Sequence, residues 1–327
     1  MFGSFFSNIS SGWKKNCAVA TFFPTIGKVI CAPMLWVPMV GILLFTGCGK
    51  AGSSGFDGAK AFAETEALVA IRPRDSGTGG ARRAAVHLEG KLKALDYKTT
   101  VDTFSEETPS GKLFFNNVLG RLPGKTKRLI VIGSHFDTKA GISPDFQGAN
   151  DSGSSSGVLL ELARVLSEKA PLETEFLIAF FDGEECLAEY GPTDGLHGSR
   201  RLARQILEGG GAEHVEAVII LDMIGDKDLN VTVPRNSSQE LVKELFFAAH
   251  QQGARPTFSL GKGSVLDDHV PFMLAGMPAI DVIDFDFGSE PGLNDYWHTE
   301  EDSLDKLSVE SLQTIGDTVL QMVENLQ

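Results

Sequence analysis

Six apolar residues in a row, Phe176, Leu177, Ile178, Ala179, Phe180 and Phe181, stop at Asp182-Gly183 and hand over to Glu184 and Glu185. An unbroken apolar run of this length suits a strand buried on both faces, as in a parallel sheet covered by helices. Ligands gather beyond the carboxyl ends of such strands. Two adjacent carboxylates leaving a strand end can divide the work, one binding a cation while its neighbour moves protons beside that charge. A solvated acidic turn would carry the same residues, so the assignment depends on what the rest of the chain supplies.

The segments around this run alternate between strand and helix. Strands are predicted over 97–104, 114–119, 129–133, 217–221, 229–233 and 279–283. Helices are predicted over 56–95 with a break at 73–80, then over 156–167, 200–207, 239–251, a short stretch ending at 274, and an amphipathic 309–326. This alternation predicts an α/β fold in a single domain over 57–327, with a mixed, mostly parallel central sheet flanked by helices. A net charge of −14 argues against nucleic acid, which needs a clustered basic surface. Acid is densest over 281–302, a composition suited to divalent cations or to the amine of a peptide end.

The first 48 residues read as an address rather than as fold. Lys14, Lys15 and Lys28 precede an uncharged run over 29–47, the pattern of an export signal. Thr46 and Gly47 before Cys48 resemble a bacterial lipobox, in which the Cys is acylated, and the run is nearly long enough to serve as an uncleaved membrane anchor. The domain is therefore expected outside the cytoplasmic membrane, on the periplasmic side of the cell envelope, meeting the membrane only through its N-terminal lipid or anchor. Residues 49–56 read as a flexible tether. Past the leader only Cys48 and Cys186 remain, so no disulfide framework follows, and Cys186 is expected to be a small buried thiol.

Other segments supply what the Glu184-Glu185 pair needs. His135 and Asp222 each sit at a predicted strand end, and Asp151 and His298 lie in loops. Asp151 is also placed to cap the helix that follows, a role compatible with ligation. Strand ends of one open sheet share an edge, so these groups can meet in one cleft, and mixed imidazole and carboxylate donors are what zinc accepts at catalytic sites. His87, His197, His214 and His250 lack such company and read as surface or satisfied core residues. With so many acids in one cleft, one carboxyl must keep a proton.

The spacing of His135, Asp137, Asp151, Glu184, Glu185, Asp222 and His298 resembles the zinc exopeptidase superfamily, which contains co-catalytic aminopeptidases and glutaminyl cyclases. Finer features are closer to the glutaminyl-peptide cyclotransferases. These are 180–185, the stretch 194–200, the segment 221–225, Asp267-Asp268-His269 before Pro271 and Phe272, Trp297-His298-Thr299, and upstream Thr108, Pro109, Gly111 and Asn116. The resemblance covers most of the chain after the leader. It implies conversion of N-terminal Gln of peptides or proteins to pyroglutamate with ammonia release, on one zinc held by Asp151, Glu185 and His298. It further implies Glu184 as proton shuttle, Asp267 with Asp222 as the acidic pair near the substrate amide, and Trp297 as a pocket wall; that acidic pair is the one expected to share a proton. Mammalian members carry His where this chain has Asp281, a substitution read as a subgroup trait. A two-zinc aminopeptidase stays open as the alternative: His135 and Asp222 would then bind a second zinc, Asp151 would bridge, and Glu184 would activate water. A binding module that had lost its metal would have lost ligands, and here none is missing.

Overall fold

The computed structural model describes residues 54–327. The leader and lipobox readings, and the tether up to residue 53, lie outside the described residues. Four neighbouring strands of a six-stranded sheet run parallel: β3 (Leu129–His135), β4 (Glu175–Phe181), β5 (Val215–Asp222) and, at the edge, β8 (Ala279–Ile283). An antiparallel hairpin of β1 (Lys98–Thr108) and β2 (Gly111–Leu122) extends the sheet beyond β4, giving the order β1-β2-β4-β3-β5-β8. The sheet is mixed and mostly parallel, as the apolar runs predict.

Period-two alternation sends each parallel strand's side chains into two separate cores. Ile130, Ile132, Phe176, Ile178, Phe180, Ala217 and Ile219 face α1 (Gly58–Val69), α2 (Gly79–Ala94), α3 (Ser155–Glu168), α5 (Gln239–Gln251) and α7 (Val309–Leu326). Their neighbours Leu129, Val131, Leu177, Ala179, Phe181, Val218 and Ile220 face α4 (His197–Glu208) and α6 (His269–Leu274). Both faces are covered, so the strands lack polar alternation. The parallel strands also all point the same way, which brings His135, Phe181 and Asp222 to one edge.

The structure differs from the expectations in three places. The hairpin is longer than 97–104 and 114–119, because its ladder runs without interruption from Lys98↔Arg121 to Thr108↔Gly111 through polar residues that hide the pattern. A two-stranded sheet of β6 (Val231–Val233) and β7 (Phe258–Leu260) includes a strand too short to read from sequence. The domain also begins earlier than the tether reading allows. Phe56 is buried over Gly316, where a Cβ would come within 2.3 Å of its ring, and the Ser54 hydroxyl donates to Asp317. Among the described residues no helix is long and apolar enough to cross a membrane.

Directly after β8, Asp284 is wholly buried, and its carboxylate accepts the N–H groups of Asn230 (2.8 Å) and Asp286 (3.0 Å). Burial, reinforced by the charges of Asp226 and Asp286, outweighs these bonds and lifts its pKa to about 6. An unfolded Asp ionises near about 3.9, so the folded chain binds the extra proton in between. The stability it contributes is full below the unfolded value and is lost as pH rises through about 6. Asp284→Asn should therefore flatten the pH dependence of the unfolding free energy between about pH 4 and pH 7, measured by urea titration. An unchanged slope would assign the proton to another group.

Candidate active site

The turn after β4 is held by carboxylates that bind backbone rather than ligand. Asp137, two residues past β3 and fully buried, accepts the N–H of Glu184 at Oδ1 and of Glu185 at Oδ2, each at 3.2 Å. Asp182 accepts Asn116 N–H (2.8 Å) and the Ser76 hydroxyl (2.8 Å), and Ser76 Oγ also lies 3.1 Å from Asp137 Oδ2. Gly183 has φ +80°, and a Cβ there would sit 2.6 Å from the Phe115 ring, so the turn requires glycine. The two glutamates thus leave the strand with their backbone fixed.

Asp151 lies in a turn over Ala149–Ser154 that precedes α3. Its backbone is not helical (φ −104°, ψ 88°), and the residue preceding α3 is Ser154. The expected helix-capping role therefore fails, and the carboxylate bonds to two imidazoles instead. Its Oδ1 is 3.1 Å from His135 Nε2 and its Oδ2 is 3.3 Å from His298 Nε2. Asp302 holds the same turn by accepting the N–H groups of Asn150 (2.6 Å) and Asp151 (3.1 Å).

His298 Nε2 also approaches Glu185 Oε1 at 2.9 Å, and His135 Nε2 approaches Asp222 Oδ1 at 3.3 Å. Two groups of metal-capable atoms result here, Asp151, Glu185 and His298, and His135, Asp151 and Asp222, each with its atoms within 4.8 Å of one another, and Asp267, His269 and Asp281 make a third such group. Burial lifts Glu185 to about 7, with the Asp151 charge adding and His298 opposing. It lifts Asp222 to about 7 as well, against the His135 hydrogen bond. For His135 and His298 burial works downward but the carboxylates win, holding His135 well above an ordinary imidazole and His298 at about 9. Glu185 Oε2 is buried without a hydrogen-bond donor. Crowded buried carboxylates, mixed N and O donors and an orphaned ligand atom fit a divalent metal ion at this position.

Glu184 belongs to none of these groups. Its carboxylate accepts the Tyr190 hydroxyl, at 3.0 Å to Oε1 and 3.2 Å to Oε2. Burial, together with the charges of Glu185, Asp267 and Asp268, raises its pKa well above the usual carboxylate range.

The expected Asp222–Asp267 proton pair is not the one the fold builds. Asp222 sits on His135, and the acid grouped with Asp267 is Asp281, the two lying with His269 so that one polar atom of each is within 4.8 Å of the others. Unless one of these two acids carries a proton, Asp267 Oδ2 and both Asp281 oxygens have no donor, and burial holds Asp281 well above an ordinary Asp. The cause is register: β8 pairs Asp281 with Ile220 of β5, two residues before Asp222. His269 completes the cluster with Nδ1 3.7 Å from Asp281.

Trp297 stacks on the His298 ring (3.9 Å between centroids) and tilts against Phe285 (5.2 Å). It therefore packs on a candidate ligand, beside the metal-capable groups. Cys186 is buried with Sγ 3.2 Å from Lys139 Nζ, and burial raises the thiol, which fits the inert reading. His197 is a satisfied core residue on Glu106 (2.7 Å) and Phe115. Sequence reasoning assigned no role to Asp137, Tyr190, Asp281 and Asp302. The acid density over 281–302 touched Asp281 and Asp302, and the family resemblance touched Asp137 and Asp281 without giving either a task.

The chain matches peptidase family M28 over residues 117–323. The glutaminyl-peptide cyclotransferase-like protein of Mus musculus is 32% identical over 269 residues, covering 72% of this chain and 67% of that protein. A crystal structure of Acidobacteriales bacterium glutaminyl cyclase superposes with TM-score 0.78 at 35% identity, covering 83% of this chain and 94% of that one. A Zn-dependent exopeptidase from Parabacteroides distasonis superposes with TM-score 0.72 at 27% identity, covering 83% and 98%.

Zinc added to chelator-treated protein should raise the melting temperature until the site saturates, an excess of about 100-fold over Kd adding roughly 2.7 kcal/mol. Asp151→Ala removes the carboxylate common to the first two groups and should abolish that response while leaving the circular dichroism spectrum folded. A wild-type melting temperature indifferent to zinc would mean that the cluster carries its charges without a metal.

Proposed function

Because the chain belongs to peptidase family M28, and within it to the glutaminyl cyclases, we propose that it is a glutaminyl-peptide cyclotransferase. It closes the N-terminal Gln of peptides or proteins into pyroglutamate and releases ammonia. The observation that carries the reading is the position of Glu184, a buried carboxylate of raised proton affinity, next in sequence to a candidate ligand but outside the metal-capable groups. A base so placed can hold a proton and return it.

Asp151, Glu185 and His298 would hold one zinc, which when bound polarises the γ-carbonyl of the substrate Gln. As the α-amine nitrogen attacks the γ-carbon, Glu184 accepts one of its protons. Glu184 then gives that proton to the amide nitrogen as the C–N bond breaks and ammonia leaves. Asp267, paired with Asp281, offers an acid oxygen to the N–H groups of the substrate amide, and Trp297 forms one wall of the pocket. In the one-zinc reading His135, with Nε2 3.1 Å from Asp151 and 3.3 Å from Asp222, is the group that faces these two carboxylates in place of a second ion.

A second reading, a two-zinc aminopeptidase with Glu184 activating water, is favoured by one observation, the compact His135, Asp151 and Asp222 group. Paired assays on one preparation separate the two. The cyclase should release ammonia from a Gln-initiated peptide with about one zinc per chain, and Glu184→Gln should lower kcat by roughly 10²- to 10⁴-fold. Cleavage of a Leu anilide with about two zinc ions per chain would establish the aminopeptidase.

We also infer export and attachment at the cell envelope through Cys48, on the strength of the basic flank, the apolar run and Thr46-Gly47. Mass spectrometry of protein extracted from membranes should find an acylated Cys48 as the first residue. An intact leader would replace the lipid tether with a membrane anchor.

A further inference from the structure

The hydrogen-bond partner of Glu184 sits on a loop to which the reaction described above gives no task. Residues 187–195 leave the glutamate pair and return to the chain just before α4, and they are braced from within. The Asp194 carboxylate accepts the N–H groups of Leu187 (2.6 Å), Ala188 (2.8 Å) and Glu189 (3.0 Å). Gly191 and Asp194 exchange backbone hydrogen bonds of 2.9 and 3.3 Å. From α4 the Arg200 guanidinium donates to the carbonyls of Gly191 (2.8 Å) and Pro192 (3.1 Å), and also to that of Gly195. Leu196 N–H closes the loop onto the Glu184 carbonyl at 2.9 Å.

This bracket delivers one side chain to the active site. Tyr190 Oη donates to the Glu184 carboxylate from a point nearly equidistant from both oxygens, 3.0 and 3.2 Å. The ring has room because residue 195 is glycine: φ there is +74°, and a Cβ would stand 2.4 Å from Tyr190 Cδ1. Burial keeps the phenol protonated, so toward Glu184 it acts as a donor. The last torsion of a glutamate is broad, and the carboxylate plane is otherwise free to turn. A donor straddling both oxygens fixes that plane, and a base works only from the orientation in which it meets the proton it abstracts.

We propose that Tyr190 is a positioning residue for the proton shuttle, its phenol holding the plane of the Glu184 carboxylate in the orientation from which a proton is taken from the α-amine and returned to ammonia. The inference rests on Glu184 being the shuttle.

The test is Tyr190→Phe in the full, zinc-loaded chain, with kcat and KM measured for ammonia release from a Gln-initiated peptide. The same substitution is made in a Glu184→Gln background, and zinc content and melting temperature are recorded for each protein. The loss of one hydrogen bond to a charged group should lower kcat about tenfold and leave KM, zinc content and melting temperature in place. In the Glu184→Gln background, Tyr190→Phe should cause no further loss, because there is no shuttle left to orient. An unchanged kcat overturns the proposal. So does a rise in KM at constant kcat, which would make Tyr190 a substrate contact, or an equal loss in both backgrounds, which would make it act apart from Glu184. Should the Phe variant lose its fold, Asp194→Asn loosens the loop while keeping the phenol, and the same fall in kcat at constant KM is expected. Full activity in Glu184→Gln alone removes the shuttle assignment and the inference with it. If the wild type cleaves a Leu anilide instead of releasing ammonia, the cyclase reading fails by itself. The Tyr190 test is then read on that hydrolysis, in which Glu184 is also the base.

Discussion

Carboxylates crowded at the carboxyl edge of a buried sheet repel one another, and most of the structure around the cleft answers that repulsion. Asp137, Asp151, Glu184, Glu185, Asp222, Asp267, Asp281 and Asp302 are all buried. Buried like charges are tolerated only when they are paired, protonated or bound to a cation. Pairing and raised proton affinity are both found here. Asp151 lies between two imidazoles and stays well below the usual carboxylate range despite its burial. Burial pushes Asp267 and Asp281 toward their protonated forms. Arg74, wholly buried, brings a guanidinium whose pKa burial lowers only to about 10, because Asp302, Asp137, Asp151 and Asp75 oppose the loss of its charge. The remaining donors, Glu185 and His298 with Asp151 among them, are the ones that would complete the balance around a divalent ion.

A second set of carboxylates does no ligating and sets the aim of those that do. Asp137 accepts the two consecutive N–H groups of Glu184 and Glu185, Asp302 those of Asn150 and Asp151, and Asp194 three in succession from Leu187 to Glu189. In each case a single side chain fixes a stretch of backbone from which a site residue projects. Arg74 does the same from the donor side, giving its three nitrogens to the carbonyls of Phe136, Gln147 and Gly148, each at 2.9 Å. The loop between β3 and the Asp151 turn is thereby pinned at both ends. Hydrogen bonds to charged groups are among the stronger ones in proteins, so irregular segments gain a rigidity that loops of this length do not have by default.

The division between ligands and supports explains what the sequence revealed. His135, Glu184, Glu185 and Asp222 were legible because each ends or follows an apolar run, and parallel strands must bring their ends together. Asp151 and His298 were legible by their chemistry and their company. The supports were not, because a carboxylate that binds backbone N–H groups has no particular residue type as its partner, and nothing in the sequence marks those amides. That Asp281 joins Asp267 was not legible for a related reason. Strand order and register decide that Asp281 of β8 lies beside β5, and neither can be read from the β8 sequence alone. Asp151 follows the local preference of Asp near a helix start, yet its extended backbone turns the carboxylate away from the helix and into the cleft.

The chain breaks its own local rules mostly where this cleft lies. Asp281 places an acid in the middle of an otherwise apolar strand, and Arg74 is a guanidinium with no exposed surface. Of the non-glycine residues with left-handed backbone among those described, Leu196 (φ 53°), Met223 (φ 49°) and His298 (φ 56°) each adjoin or belong to a site segment, and Asp96 alone lies elsewhere. Such conformations cost on the order of 1 to 3 kcal/mol each and persist only where the surroundings over-determine them. Leu196 ends the Tyr190 loop, Met223 follows Asp222, and His298 is itself a candidate ligand. Their strain is offset by the two apolar cores on either side of the sheet, which lie along the strands rather than at their ends. The fold thus separates the part that stabilises it from the part that reacts, and the edge of the sheet is where the second is supported by the first.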